Sequence, residues 1–308
     1  MKGLVVKSTG SWYRVLADNR SVFECRIKGK LRLDDSKSTN PIAVGDRVEF
    51  TLEDNTRGII SEILERKNYI IRKASNLSKQ SHVIAANVDR AYLVVTIHSP
   101  QTLLSFIDRF LVSAHAYDIP CTIIVNKYDT LVSESDITLF EEWKRIYDLA
   151  GYELLEVSAH SGHNIQTLKH QMKGNICVFA GNSGVGKSSL IHALDSQTSV
   201  KIQEISKAHS KGQHTTTFAE MFELDFGAYI IDTPGIKAFG LLDFDRDELA
   251  HYFPEIFRIS SRCQFHNCTH LHEPNCAVLE AVERGEIPVS RYENYVSISF
   301  DEQTKHRK

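Results

Sequence analysis

The chain lacks the features that mark a membrane or secreted protein. None of its apolar runs reaches the roughly eighteen residues that a transmembrane helix needs. Its first residues, MKGLVVKSTGSWYRV, do not contain the long apolar core of a secretory signal peptide. These absences predict a cytoplasmic protein with no membrane partner.

The chain also lacks a strong excess of charge, since its formal net charge is −3. The distribution along the chain says more than the total. Residues 1–80 contain 16 Lys and Arg against 10 Asp and Glu, whereas the remainder contains 20 against 29. Such an asymmetry predicts that the N-terminal part meets a polyanion, with an ordinary solvated surface as the alternative.

Cysteine is sparse, and the six cysteines fall into two groups. Three are scattered in apolar or strand-like runs and are predicted to be small buried side chains: Cys25, Cys121 and Cys177. The other three cluster in CQFHNCTHLHEPNC, residues 263–276. In a cytosolic chain, clustered cysteines favour a metal over a disulfide.

The cluster has the spacing Cys263-x4-Cys268-x-His270-x5-Cys276. Three thiolates and one imidazole are a ligand set for a tetrahedral structural Zn²⁺ site. Two further histidines in the same stretch, His266 and His272, are alternative ligands. We expect zinc to replace the hydrophobic core that this segment is too short to build.

Residues 1–64 are predicted to form short strands, because apolar and polar residues alternate in short runs that are separated by Gly, Asp and Asn. A small all-β barrel of about five strands is predicted, and the oligonucleotide-binding (OB) fold is one candidate. Four basic residues occupy every second position and would share one face of a strand: Arg26, Lys28, Lys30 and Arg32. Residues 65–80 read as a basic connector.

Strands and helices alternate from about residue 85 to residue 235. This pattern predicts a mostly parallel α/β sheet with helices on both faces. Residues 240–308 read instead as short helices around the Cys/His cluster.

GNSGVGKS at 181–188 matches the phosphate-loop pattern G-x-x-x-x-G-K-[ST]. The glycines let backbone N–H groups surround phosphate oxygens, while Lys187 reaches the β- and γ-phosphates and Ser188 binds Mg²⁺. A predicted strand, ICVFA, precedes the loop, and a helix from about Lys187 to Leu194 follows it. The N-terminus of that helix points at the anion.

The motif NKYD at 126–129 predicts that the base of the bound nucleotide is guanine. Guanine presents two adjacent donors, and the single carboxylate of Asp129 can accept both, whereas adenine lacks this pair. Asn126 can bond the base and bridge to the phosphate loop, and the Lys127 stem can lie on the purine face. SAH at 158–160 follows another strand and places the Ala159 N–H where it can meet guanine O6.

Two further segments, DTPG at 232–235 and KGQHTTT at 211–217, complete the set of motifs predicted to bind GTP. Asp232 is predicted to hold Mg²⁺ through water, and the Gly235 N–H to sense the γ-phosphate. A threonine, Thr216 or Thr217, is predicted to bind Mg²⁺ and the γ-phosphate only in the GTP state.

The glutamine that orients the attacking water in Ras-like enzymes is missing, because Ile236 follows DTPG. We therefore expect slow intrinsic hydrolysis. His214 is the candidate to position the water once a partner orders the loop, with an exposed loop histidine as the alternative.

The motifs occur in an unusual order: NKYD and SAH precede the phosphate loop, which precedes HTTT and DTPG. This order is a circular permutation of one GTPase domain. It is tolerated because the site depends on spatial arrangement and chain termini often lie close together at the surface.

Over essentially its whole length the sequence closely resembles the RsgA-type (YjeQ/YloQ) GTPases of bacterial small-ribosomal-subunit biogenesis. The resemblance is carried by CRIKGKLR and VGDRVEF, by RKNYIIRKAS, by the permuted motif series and by the Cys-x4-Cys-x-His-x5-Cys spacing. It implies an OB-fold barrel, a Mg²⁺-dependent GTPase domain and a zinc domain. It also implies binding to the small (30S) subunit through rRNA, subunit-stimulated GTP hydrolysis in late maturation, and His214 as the catalytic candidate.

We accordingly divide the chain into a barrel at 1–72, a permuted GTPase domain at 73–240 and a mostly helical zinc-binding domain at 241–308. The predicted guanine nucleotide site consists of Asn126, Lys127, Tyr128, Asp129, Ser158, Ala159, Gly181, Asn182, Ser183, Gly184, Val185, Gly186, Lys187, Ser188, Ser189, Thr216, Thr217, Asp232 and Gly235. A monomer is the default expectation. A GTPase switch that acts on a protein or membrane partner and a nonenzymatic RNA-binding module remain as alternatives, although the sequence shows neither a basic amphipathic helix nor a lipidation signal.

Overall fold

The computed structural model describes residues 1–27, 41–73, 81–200, 202, 219–232 and 246–306. These residues belong to two compact units, each built from separate stretches of the chain. The first unit consists of Met1–Ala91, Ile165–Ala180 and Lys187–Phe239. The second consists of Tyr92–Asn164, Gly181–Gly186 and Gly240–Lys308.

Five strands of the first unit form a closed barrel. All neighbouring strands are antiparallel except β3 and β5, which run parallel, and the pairing of β1 with β4 closes the ring. The strands are β1 Lys2–Ser8, β2 Tyr13–Ala17, β3 Val22–Ile27, β4 Arg47–Leu52 and β5 Arg57–Ile63. The predicted five-stranded barrel is confirmed.

The barrel core is made by side chains at alternating strand positions, because successive residues of a strand point to opposite faces. Its fully or largely buried members include Val5, Tyr13, Val15, Phe23, Cys25, Val48, Phe50 and Ile60. Of the other scattered cysteines, Cys177 is buried and Cys121 is half-buried.

The basic face predicted on the barrel lies mostly outside the described residues, which include Arg26 but not Lys28, Lys30 or Arg32. Arg26 is exposed, and its Nη2 donates to Glu53 Oε1 at 2.6 Å. An acidic partner within the barrel therefore offsets this one charge.

The stretch expected as a basic connector is partly a hairpin. Strand β6 (Tyr69–Lys73) pairs antiparallel with β7 (Ser81–Ala86). Arg66, just before it, donates from Nε and Nη2 to the two oxygens of buried Asp46, each at 2.7 Å. Asp46 Oδ2 also accepts from the Ala43 N–H. Part of the positive charge of the N-terminal region is thus neutralised by a buried carboxylate of the protein itself.

The remainder of the first unit includes three further strands and the helices α3 and α4. Strand β11 (Ile176–Ala180) runs parallel to β13 (Tyr229–Asp232), and β12 (Glu220–Glu223) runs antiparallel to β13. Helix α3 is Ile165–Met172, and α4 is Lys187–Leu194. The predicted strand before the phosphate loop and helix after it are both present.

The second unit contains the strands and helices on either side of NKYD. They are β8 Arg90–Val95, which belongs to this unit from Tyr92 onward, helix α1 Leu104–Ala116, β9 Cys121–Val125, helix α2 Glu134–Ala150 and β10 Glu153–Glu156. Strands β9 and β10 are parallel, as predicted. Helix α2 begins at a capping box made by Ser133 and Asp136 and ends at Gly151, whose φ of 85° suits a glycine cap.

The C-terminal segment of this unit is helical. A 3₁₀ helix, Arg246–Tyr252, precedes α5 Pro254–Ser260, α6 Ala277–Glu283 and α7 Val289–His306. These helices share a core whose buried members include Leu249, Phe253, Ile256, Ile259, Val278, Ala281, Ile287, Tyr295 and Ile298, together with Val112 from α1. The expectation that zinc replaces a missing core is therefore wrong, because the segment borrows part of its core from α1.

Among the described residues, no helix is both long enough and apolar enough to cross a membrane.

Candidate functional site

The phosphate loop, residues 181–186, leads directly into α4 at Lys187. Gly181 and Gly186 have φ angles of 136° and 93°. A Cβ at Gly181 would lie 2.1 Å from the Val94 carbonyl oxygen, and one at Gly186 would lie 2.4 Å from Asn126 Nδ2. Only glycine permits this approach to the ends of the neighbouring strands.

Asn126 joins three sequence motifs within the second unit. Its side chain is buried, Nδ2 donates to the Val185 carbonyl at 2.9 Å, and Oδ1 accepts from the Ala159 N–H at 3.2 Å. The bridge to the phosphate loop that the sequence predicted is present. The Ala159 N–H, which we expected to meet guanine O6, is engaged with Asn126 here.

Lys127 fixes the phosphate loop from a second direction. Its backbone is left-handed, with φ of 62°, and its Nζ donates to the Gly184 carbonyl at 2.8 Å and to the Ser99 carbonyl at 2.5 Å. Ser99 belongs to the turn after β8, and sequence reasoning did not identify it. The contact orients the lysine stem beside the loop.

The Asp129 carboxylate is held in place but remains open to solvent, with 27% of its side chain exposed. Ser158 donates from Oγ to Asp129 Oδ1 at 2.5 Å, and Ser158 Oγ in turn accepts from the Ser161 N–H. His160 Nδ1 lies 3.5 Å from Asp129 Oδ2. A carboxylate fixed in this way can accept two adjacent donors from a planar base.

The ring of Tyr128 packs within the protein. It stacks on His163 with centroids 5.3 Å apart and meets the edge of Phe140 at 5.1 Å. This packing fixes the short 3₁₀ turn, Tyr128–Thr130, that carries Asp129.

Two of the residues predicted to bind Mg²⁺, Ser188 and Asp232, belong to the first unit. Strands β11 and β13 run parallel with Val178 opposite Ile231, so Asp232 ends its strand at the sheet edge where the chain leaves β11 for the phosphate loop. Ser188 and Ser189 are exposed at the start of α4, and Asn182 and Ser183 are exposed in the second unit. Four predicted site residues lie outside the described residues: His214, Thr216, Thr217 and Gly235.

The four predicted metal ligands come together, and their ligand atoms all lie within 4.8 Å of one another. Cys268 Sγ and Cys263 Sγ lie 3.6 and 3.9 Å from Cys276 Sγ, and His270 Nδ1 lies 3.5 and 3.6 Å from two of the sulfurs. With Zn–S and Zn–N bonds of usual length, a tetrahedron has edges of about 3.8 and 3.5 Å. The cluster therefore fits Zn²⁺, and the alternative ligands His266 and His272 are not part of it.

Burial makes this cluster a poor place for uncompensated charge. It raises the pKa of the Cys268 thiol to about 12 and lowers the pKa of His270. A neutral imidazole is the ligand form, while thiolates here need a cation beside them.

Hydrogen bonds that no sequence motif indicates surround the cluster. Tyr292 donates to the His270 carbonyl and Tyr295 to the Thr269 carbonyl, each at 2.8 Å. Glu273 accepts from the Thr269 N–H at 2.8 Å and from Thr269 Oγ1 at 2.5 Å, and also from two further backbone N–H groups. These contacts hold the loop around the ligands in one conformation.

A buried ionic cluster was also missed. Arg291 of α7 donates to Asp108 of α1 at 2.8 Å and to Glu255 of α5 at 2.7 Å, and all three side chains are essentially unexposed. Asp108 further accepts from Tyr147 and Asn294. Because its members are far apart in sequence, no local motif could have indicated it.

Comparison with known proteins adds to this geometry. The model of the RsgA GTPase family matches residues 63–242, and that of the RsgA N-terminal domain matches residues 2–60. Small ribosomal subunit biogenesis GTPase RsgA of Christiangramia forsetii is 51% identical, covering 100% of this chain and 98% of that protein. Its counterpart from Bacteroides fragilis is also 51% identical, covering 100% and 99%.

Two solved structures are similar over nearly the full chain. YjeQ from Thermotoga maritima has a TM-score of 0.79 and 37% identity, covering 98% of both chains. YloQ, described as a circularly permuted GTPase, has a TM-score of 0.79 and 30% identity, covering 100% of this chain and 96% of the other.

Proposed function

The chain belongs to the RsgA family of GTPases, and from this premise we propose that it acts on the small (30S) ribosomal subunit during late maturation. GTP is hydrolysed to GDP and phosphate, slowly by the protein alone and faster on the subunit. The observation that carries the proposal is 51% identity over the whole chain to relatives named for small-subunit biogenesis. Similarity confined to the GTPase domain would not favour this partner over others.

Guanine is recognised by Asp129, whose carboxylate accepts the N1–H and 2-amino groups. The support is its fixed but solvent-open position beside Ser158. Asn126 and Lys127 hold the base-reading turn against the phosphate loop. The phosphates lie on the loop N–H groups and on Lys187, at the N-terminus of α4.

Mg²⁺ is held by Ser188, by Asp232 through water, and by Thr216 or Thr217 in the GTP state. Support comes from the exposed Ser188 at the start of α4 and from the position of Asp232 at the end of β13. When bound, the ion neutralises charge on the β- and γ-phosphates. The Gly235 N–H senses the γ-phosphate.

His214 positions the attacking water on the subunit, because Ile236 cannot do so. The test compares GTP turnover of the wild type and His214→Ala with and without subunits. A catalytic role predicts that only the subunit-stimulated rate falls. Equal stimulation of both proteins would remove His214 from the mechanism.

One structural Zn²⁺ is bound by Cys263, Cys268, His270 and Cys276. The tetrahedral spacing of the four ligand atoms supports this assignment. Metal analysis of the purified protein should find one zinc per chain, and Cys263→Ser should reduce that ratio. A metal-free protein with an intact C-terminal domain would contradict it.

The barrel, which we place at residues 1–72, meets rRNA, and the GTPase and zinc domains occupy 73–240 and 241–308. The protein acts as a cytoplasmic monomer, in keeping with its proposed partner. The positive balance of residues 1–80 supports an electrostatic contact with RNA.

Co-sedimentation with purified subunits tests the partner. We expect binding to small but not large subunits, stronger with a non-hydrolysable GTP analogue than with GDP, and weakening steeply as salt rises. Equal recovery with both subunits, or with neither, would overturn the proposal.

A further inference from the structure

One rung of the β-sheet in the first unit links the barrel to the GTPase strands. Lys7 of β1 pairs with Glu220 of β12, and Glu220 pairs on its other edge with Asp232 of β13. Glu220 begins its strand and Asp232 ends its own. The rung is therefore the terminal one of the β12–β13 ladder, where strands fray most readily.

A β-bulge builds this arrangement. The register of β1 against β2 passes from Val5 opposite Val15 to Lys7 opposite Arg14, so Val6 is an extra residue. A bulge bends the strand and re-aims the side chains that follow it. The outer edge of β1 is covered as far as Val5, which exchanges hydrogen bonds with Gly45 and Asp46. Beyond the bulge, β12 takes over that edge at Lys7.

Side chains reinforce the backbone pairing. Lys7 Nζ lies 2.7 Å from Glu220 Oε2, with side-chain exposures of only 31% and 16%. Arg14 Nη1 lies 3.9 Å from the other oxygen of Glu220. A partly buried pair is screened by salt less than a surface pair. Lys7 therefore holds Glu220 in place, and Arg14, whose Nε donates to Glu24 at 3.1 Å, adds a more distant positive charge.

A second anchor lies further along β12. Arg20 Nη1, from the turn after β2, lies 2.6 Å from Glu223 Oε1 and donates to Tyr229 Oη at 3.1 Å. It is more exposed than the Lys7–Glu220 pair, and it contacts the opposite end of the β12–β13 ladder. Ion pairs from the barrel thus contact β12 at both ends, but only the Lys7–Glu220 pair adjoins Asp232.

We propose that Glu220 is a positioning residue for Mg²⁺-dependent GTP binding. Held by Lys7 of the barrel, it keeps the terminal rung closed and Asp232 in place to receive the ion. The inference rests on the Mg²⁺ role assigned to Asp232 above. It also connects the barrel directly to the nucleotide site. A phosphate group that binds Lys7 in place of Glu220 breaks their ion pair and loosens the same rung.

The test uses the full-length protein and needs no ribosome. The affinity of a non-hydrolysable GTP analogue is measured as a function of Mg²⁺ concentration for Lys7→Gln, Glu220→Gln and the double variant. We expect the Mg²⁺ midpoint to rise about fivefold in each single variant, at the low end of coupling between sites. The double variant should be no worse than either single one, since both remove the same contact.

Controls separate positioning from general damage. Lys7→Arg should restore the wild-type midpoint. Lys2→Gln removes a cation from the other end of β1, whose 3.7 Å pair with Glu49 stays within the barrel, and it should change nothing. GDP affinity without Mg²⁺ should be the same in all variants. Asp232→Asn serves as the reference for loss of the ion contact.

If Asp232→Asn raises the midpoint but Lys7→Gln and Glu220→Gln do not, Glu220 has no positioning role and the proposed function stands. If Asp232→Asn also leaves the midpoint unchanged, Asp232 does not hold the Mg²⁺ through its water. Both the site assignment and this inference are then wrong.

Discussion

At the scale of single residues, the base recognition that we propose depends on how Asp129 is held. Ser158 donates to one carboxylate oxygen, the other oxygen lies 3.5 Å from His160 Nδ1, and 27% of the side chain is exposed. Asn126 and Lys127 fix the turn on which the carboxylate sits. The discriminating acceptor is therefore positioned before any nucleotide arrives, which lowers the ordering cost of binding.

Replacing Asp129 with asparagine should switch the preferred base. One acceptor becomes a donor, which opposes the guanine 2-amino group but matches the 2-oxo group of xanthine. Two hydrogen bonds to a charged acceptor contribute about 3–6 kcal/mol, so GTP affinity should fall about 10²- to 10⁴-fold. Equilibrium binding of GTP and XTP measures the change. Unchanged GTP affinity, or a loss with no gain for XTP, would contradict this role.

At the scale of the element, the loop around the Cys/His cluster depends on Glu273. Burial alone would raise the pKa of Glu273, but hydrogen bonds from Thr269 and neighbouring backbone N–H groups lower it below its usual range. The carboxylate therefore stays ionised and accepts hydrogen bonds from four donors of the loop, which hold the loop closed. Loss of that charge should loosen the ligands at Cys268 and His270.

Glu273→Gln should retain zinc less well, with metal affinity reduced about 10- to 100-fold, as is usual for groups that orient ligands. Competition with a chromogenic chelator measures the affinity directly. Glu286→Gln is the matched control, because Glu286 is exposed and its partner Arg284 lies on the surface. Equal chelator midpoints for wild type and Glu273→Gln would show that the carboxylate does not support the site.

At the scale of the whole molecule, the ion pairs of Arg291 hold the second unit together. The guanidinium lies 4.6 Å from the Phe253 ring and bonds two buried carboxylates from different helices. Burial alone would lower the pKa of Arg291, but Asp108 and Glu255 raise it above its usual value. The cluster ties α1 of the NKYD region to the helices that surround the metal ligands.

Arg291→Met should lower the free energy of unfolding by about 3–5 kcal/mol, because it leaves two buried carboxylates without their counter-ion. Denaturant unfolding followed by tryptophan fluorescence in a Trp12→Phe background reports on this unit, since the other tryptophan, Trp143, lies in α2. Arg284→Met removes a surface arginine and should change stability by no more than about 0.5 kcal/mol. Similar losses for the two variants would mean that the buried cluster adds little.

The local elements were predictable because their signals are local. The strand, glycine loop and helix at 176–194 follow from one motif, and α2 ends at Gly151, the residue type that most often caps a helix C-terminus. The bulge at Val6 and the Arg291 cluster were not predictable, since register and long-range ion pairs depend on the packed structure. The same reason explains the error about the zinc domain, whose core includes Val112 from a distant helix.

GTP turnover with and without purified small subunits tests the central claim most directly, with large subunits and ATP as controls. The account predicts slow turnover alone and at least tenfold stimulation by small subunits only, about 1.4 kcal/mol of barrier, with no hydrolysis of ATP. Equal slow turnover in every condition would contradict a subunit-stimulated GTPase.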